Sequence, residues 1–235
     1  MQDFNSGASG PKEFSGFGQP GWSRRERALL RFYYLEHLLN ARWLRWRYRH
    51  RVRFGKDVRV DPHTLMLRGT GTVELGDRVI FERGLFKVFF NLDPGAKVKI
   101  GEGTWFRMVN DHIIFTVKPG AEVVMGKNCW CTGGHYSASK RISVGEHTLI
   151  GKGVTILDSD LHQVDNLSEV KTAPVNIGSH VWITSYVTIL KGVTIGDHCI
   201  ISTGSVVNQD VPDHSLVAGA PARVIQKISD RDRVP

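Results

Sequence analysis

Residues 187–201 read VTILKGVTIGDHCII, and the spacing of their aliphatic residues decides the fold. Ile189, Ile195 and Ile201 stand six apart, each preceded two residues earlier by Val187, Val193 or Cys199. The series extends back to Ile177 and Ile183 and on to Val207, with Val181 and Ser205 in the companion phase. A period of six fits neither the 3.6 of a helix nor the 2 of a plain amphipathic strand. It fits a solenoid of short strands that end at tight corners, where every sixth side chain stacks into one core. The bland alternative is a chance run of valine and isoleucine in a sandwich. Nine aliphatics in register, counting Val144, Ile150 and Ile156, argue against it.

Upstream the step is longer. DPGAKVKIG (93–101) and KPGAEVVMG (118–126) lie 25 residues apart, and VELG (73–76) lies 25 before the first. Residues 1–22, rich in Gly and Ser, read as a flexible, disordered tail. Residues 23–53 form a basic amphipathic segment: Leu30, Tyr34 and Leu38 recur at helical spacing. Arg45, Arg47, Arg49, Arg51 and Arg53 then alternate with Leu44, Trp46, Tyr48, His50, Val52 and Phe54. Period two predicts an extended strand with a cationic face, although Arg45 and Arg49 would also stack on a helix.

The net charge of +8 belongs to this segment. Residues 24–53 hold ten arginines and two acids, and the other 21 basic residues are balanced by 21 acidic ones. No apolar run is long enough for a membrane span, and the opening MQDFNSGASG lacks the features of a signal peptide, so a cytoplasmic protein is expected. Cys129, Cys131 and Cys199 are few and odd in number; Cys129 and Cys131 share a strand face, which suits core thiols better than a disulfide. No metal site is expected, since Cys-x-Cys lacks two further ligands at sensible spacing.

The repeat breaks at ILDSDLH (156–162), because Ile156 and Ile177 are not a multiple of six apart. Residues 158–176 therefore leave the solenoid, with His162 at the mouth. If extended, the segment puts Asp158, Asp160 and His162 on one face. An imidazole beside carboxylates is biased toward holding a proton near neutral pH, which suits a general base. The plain alternatives are a loop histidine with solvated aspartates, or a metal-ligating Asp-x-Asp-x-His.

These residues resemble the hexapeptide-repeat acyltransferases, and SVVNQDVPDHSLVAGAPARVIQKI (205–228) resembles that family's C-terminal signature. The resemblance implies a mainly β fold, a left-handed parallel β-helix over 54–228 closed by 208–228, with 229–235 as a tail. DSDLH followed by VNIGSHVWI resembles the branch that O-acetylates sugars and polysaccharides. It further implies direct acetyl transfer from acetyl-CoA to a hydroxyl, His162 as base, and the Ser185 N–H as oxyanion donor. Trp182, Thr184, Ser202, Thr203 and Gly204 would line the coenzyme A site, with Arg223 and Lys227 toward its phosphates. Departures are Thr184 for the usual Gly, Asn208-Gln209-Asp210 for Thr-Lys-Asp, and Gln226 for a common arginine. The family also implies a homotrimer whose sites lie between subunits.

His135 in GGHYSAS is a candidate for the acceptor pocket. His147, His180 and His198 fall at solvent-facing corners and read as structural. Competing functions are N-acetylation of an amino sugar and a non-catalytic assembly surface. A zinc carbonic anhydrase on this scaffold typically needs two histidines five apart, and the chain has none. A nucleotidyltransferase would need a Gly-rich phosphate-binding domain that 1–53 cannot form. For the arginines of 45–53, an anionic membrane, which a lipid-linked glycan acceptor would make useful, is weighed against a solvated cap; no nucleic acid is expected.

Overall fold

The computed structural model describes residues 42–232, save 83, 109–110 and 164–168. The expected tail over 1–22 and the helix within 23–41 lie outside them. The chain winds over three faces in rotation. The first face holds Val52–Phe54, Thr72–Leu75, Lys97–Ile100, Glu122–Met125, Arg141–Val144, Val175–Ile177 and Thr194–Ile195. The second runs from Ile80–Phe81 through Trp105–Phe106, Trp130–Cys131, Leu149–Ile150, Trp182–Ile183 and Ile200–Ile201 to Ser215–Gly219 and Ala222–Lys227. The third carries Leu65–Gly69, Val88–Leu92, Ile113–Val117, Gly134–Ala138, Thr155–Leu157, Thr188–Ile189 and Val206–Val207. Paired strands are parallel until the last two, Ser215–Gly219 and Ala222–Lys227, which are antiparallel. This is a parallel β-solenoid, as the six-residue period requires.

The sixth-position residues meet across coils. Ile150, Ile183, Ile201 and Val217 are register partners on the second face, and Ile156, Ile189 and Val207 on the third. All are buried. Earlier coils widen this column with stacked rings, Phe90 on Phe115 at 5.0 Å and Phe115 on Tyr136 at 4.8 Å. Those coils take 25 residues because both sides of the third face are longer: Phe81 to Phe90 is nine positions and Phe90 to Ile100 ten, where the matching steps Ile183 to Ile189 and Ile189 to Ile195 are six each.

The outer surfaces differ. The first face is charged: Arg53 pairs with Glu74 at 3.2 Å, and Glu122 takes both Lys99 at 2.8 Å and Arg141 at 2.5 Å. The hydrogen bond from Lys99 holds the Glu122 carboxyl below its usual range. The second face presents Ile80, Trp105, Trp130, Leu149, Trp182, Ile200 and Leu216 in one outward row. The third presents Met66, Phe89, Ile114, His135, Thr155, Thr188 and Val206.

The arginine alternation does not make one strand. Residues 42–47 are helical, 48–51 turn, and the strand begins only at Val52. The reason is a second pattern, Leu44, Tyr48 and Val52, spaced by four. Leu44 is 1% exposed, Tyr48 packs against the core, and the Tyr48 N–H donates to the Leu44 carbonyl at 2.9 Å. Capping the open first coil with these apolar groups outweighs any preference for extended alternation.

Candidate active site

The excursion leaves the corner between the third and first faces and is sealed at its feet. The Ala173 N–H donates to the Asp158 carbonyl at 2.9 Å, and the Asp160 N–H to the Lys171 carbonyl at 3.1 Å. Ser159 and Thr172 form an antiparallel bridge between these pairs. Leu161 then takes a left-handed φ of 64°, with its N–H on the Ser159 hydroxyl at 3.0 Å. That turn breaks the extended geometry, so Asp158, Asp160 and His162 do not share one face.

Each of the three has a separate environment. Asp158 is fully buried, its Oδ1 accepting from the Ser139 N–H at 2.6 Å and its Oδ2 from Lys140 and Arg141, both at 2.7 Å. It thereby ties the excursion to the corner one coil earlier. Asp160 accepts from the Lys191 ammonium at 2.5 Å. His162 is exposed, and no described side chain bonds its imidazole.

Ser185 sits at a different corner, between the second and third faces, above Gly151. A Cβ on Gly151 would lie 2.8 Å from the Ser185 nitrogen, so the close approach at this turn is provided by Gly151. The Thr184 hydroxyl donates to the Ile201 carbonyl at 2.8 Å, and the Thr203 hydroxyl meets Thr184 Oγ1 at 3.2 Å. The Ser185 carbonyl accepts from the Gly204 N–H at 3.1 Å, whereas its own N–H meets no described acceptor. The same holds at the equivalent Lys152 and Thr203, so the corner presents a short file of unspent donors.

Ser202, Thr203 and Gly204 continue this edge toward the closing hairpin. Arg223 lies on its last strand, exposed, while the Lys227 ammonium turns to the Asp213 carbonyl at 2.7 Å and Ser215 Oγ at 3.2 Å. Trp182 is 42% exposed on the second face, with the Arg231 guanidinium 5.5 Å from its ring centre. His135 projects from the third face, half-buried, its Nε2 2.9 Å from Thr116 Oγ1. Burial pushes its imidazole below the ordinary histidine range. Thus His162 and the Ser185 corner flank opposite edges of the third face and are not brought together within one chain.

Sequence reasoning missed Lys191, which answers Asp160, and Tyr186, which covers Gly153. Gly153 has a φ of 65°, and a Cβ there would meet the Tyr186 ring at 2.4 Å. It also missed a column: the rings of His147, His180, His198 and His214 stack 4.9 Å apart within 8° of parallel. Asp232 Oδ1 lies 3.6 Å from His180 Nε2 and 3.7 Å from His198 Nδ1. The trio does not suit a metal ion. Stacked rings aim their in-plane lone pairs side by side, and His198 Nδ1 already accepts the Arg231 N–H at 2.9 Å.

Residues 174–209 match the family model of the bacterial transferase hexapeptide (six repeats). Over 95 residues the chain is 40% identical to galactoside O-acetyltransferase of Escherichia coli strain K12, covering 39% of this chain and 47% of that one. It therefore spans about half the length of this curated relative. A solved galactoside acetyltransferase in complex with coenzyme A shares 31% identity, over 59% of this chain and 68% of that one, with a TM-score of 0.46. A hexapeptide-repeat-containing acetyltransferase of Vibrio cholerae O1 biovar eltor, complexed with acetyl coenzyme A, shares 24% identity. That likeness covers 93% of this chain and 97% of that one, at a TM-score of 0.42.

Proposed function

The chain belongs to the hexapeptide-repeat acyltransferases, and on that premise we propose that it moves an acetyl group from acetyl-CoA to a hydroxyl of a sugar or glycan. The observation that carries the reading is an exposed imidazole, His162, held at the mouth of an excursion whose feet are sealed by backbone pairing.

In this reading His162 takes the proton of the acceptor hydroxyl as its oxygen attacks the thioester carbonyl. The carbonyl oxygen becomes an oxyanion and receives the Ser185 N–H. Collapse expels the coenzyme A thiolate, which recovers the proton from the imidazolium, so no covalent enzyme intermediate forms. Asp158 shapes the corner from which the excursion departs, and Asp160 with Lys191 steadies the stretch before His162. Thr184, Ser202, Thr203 and Gly204 lie along one edge suited to the pantetheine, with Trp182 beside them on the second face and Arg223 toward the phosphates; the Lys227 ammonium is held by Asp213 and Ser215 at the far edge of that face. His135, kept neutral by burial, serves as an acceptor-side hydrogen-bonding group.

Base and oxyanion donor belong to different corners, so a complete site needs two chains. The apolar second and third faces supply the surfaces for a closed homotrimer, leaving the charged first face to water. The test is thiol release from acetyl-CoA across a panel of sugars and glycans. His162→Ala is expected to lose about 10²-fold or more in turnover while light scattering still reports a trimer. Near wild-type turnover would remove His162 from the chemistry, and an active monomer would refute the shared site. Release with amino sugars alone would point to N-acylation, and none with any acceptor to an assembly role.

A further inference from the structure

The cap over the first coil has two sides, and only one is explained by the fold. Leu44, Tyr48 and Val52 face inward and close the core. On the other side Trp43 is 49% and Trp46 64% exposed, and Arg42, Arg45, Arg47 and Arg49 are exposed around them. A cap alone needs nothing apolar on its outer side.

The charges there are also unlike the paired ones of the first face. On the first face, Arg53, Lys99 and Arg141 each meet a carboxylate. At the capped end the guanidinium groups meet rings and carbonyls instead. Arg47 lies 5.4 Å from the centre of Tyr48 and Arg49 5.7 Å from that of Trp46, while Arg45 donates to the Gly55 carbonyl at 2.9 Å. Among the described residues, no carboxylate pairs with Arg42, Arg45, Arg47 or Arg49. Residues 42–69 hold nine Arg and Lys against only Asp57 and Asp61, a net of +7.

We infer that this capped end docks on an anionic membrane surface, with Trp43 and Trp46 seated among the headgroups and the arginines on lipid phosphates. Indoles favour the boundary between headgroup and acyl chain, and each arginine near an anionic bilayer adds to the attraction. A nucleic-acid duplex would be gripped by the arginines but would leave the two indoles without a role. The surface lies at the end of the solenoid rather than along a face, so docking leaves all three faces open.

The test is co-sedimentation of the full chain with vesicles of phosphatidylcholine, with and without phosphatidylglycerol. Binding is expected only to the anionic vesicles, and it should fall as salt is raised. Neutralising three exposed arginines together (R42Q, R47Q, R49Q) should weaken partitioning roughly 100-fold, about fivefold for each. Trp43→Ser with Trp46→Ser should weaken it even at low salt. Unchanged circular dichroism and melting temperature would show that these variants still fold. The inference falls if wild type does not pellet at low salt, if it binds both vesicle types equally, or if the arginine variant binds like wild type. It also falls if a single-stranded oligonucleotide or a soluble anionic glycan binds more tightly than the vesicles at equal charge concentration.

Discussion

Substituting Asp158 with Asn separates the scaffold of the site from its chemistry. The carboxylate is fully buried and accepts three backbone N–H groups, from Ser139, Lys140 and Arg141. Asn keeps one acceptor oxygen. If that oxygen takes the place of Oδ2, the Lys140 and Arg141 bonds persist without their charge assistance, and the Ser139 N–H faces an amide N–H. One charge-assisted bond is lost, two are weakened, and a half-buried donor is stranded, which together cost about 3 kcal/mol. For a domain of this size that lowers the melting temperature by roughly 6–12 °C. The assay is thermal unfolding followed by circular dichroism at fixed protein concentration, since subunit association shifts apparent stability. Turnover is measured well below the transition. Asp158→Asn should melt early yet keep most of its turnover, while His162→Ala should melt like wild type and lose turnover. An Asp158→Asn protein that melts within about 2 °C of wild type but is inactive would refute the reasoning and place the carboxylate in the reaction.

Two further outcomes follow from the same geometry. His135 is held below its ordinary range by burial, so the fold favours its neutral form. Its contribution is fully present above the unfolded pKa of about 6.5 and is lost as pH falls toward the depressed folded value. His135→Gln should therefore flatten the dependence of melting temperature on pH below neutrality, and an unchanged profile would contradict this. The pair of Lys191 and Asp160 is only partly exposed, at 30% and 27%. A double-mutant cycle with Lys191→Met and Asp160→Asn should give a coupling of about 1 kcal/mol; strictly additive losses would mean that the pair steadies nothing.

The core was legible because the solenoid repeats one physical demand, an inward aliphatic every sixth residue, and Ile150, Ile183 and Ile201 meet it in register. The excursion was legible for the converse reason, as a break in that phase. The environment of Asp158 was not, because the three N–H groups it satisfies belong to residues 17–19 positions earlier. The arginine alternation misled because two periods overlap there, and the buried one, Leu44, Tyr48 and Val52, has fewer letters. The histidine column carried one readable signal, that His180 and His198 lie 18 residues apart, one full coil; the left-handed φ that all four histidines take was not readable. His147, His180 and His198 read as structural residues at solvent-facing corners, and His214 drew no reading.

The sealed feet of the excursion bear on how such a protein can change over time. Asp158 pairs with Ala173, Ser159 with Thr172 and Asp160 with Lys171, so the coils on either side meet the same backbone whatever lies between. For the chain beyond that clasp, each doubling of loop length costs only about 0.6 kcal/mol in closure entropy. Residues past His162 can therefore be lengthened, shortened or exchanged as a cassette while the stacked core keeps its register. Diversification at this corner is uncoupled from folding, and a graft between related solenoids should succeed when its ends are cut at the clasp.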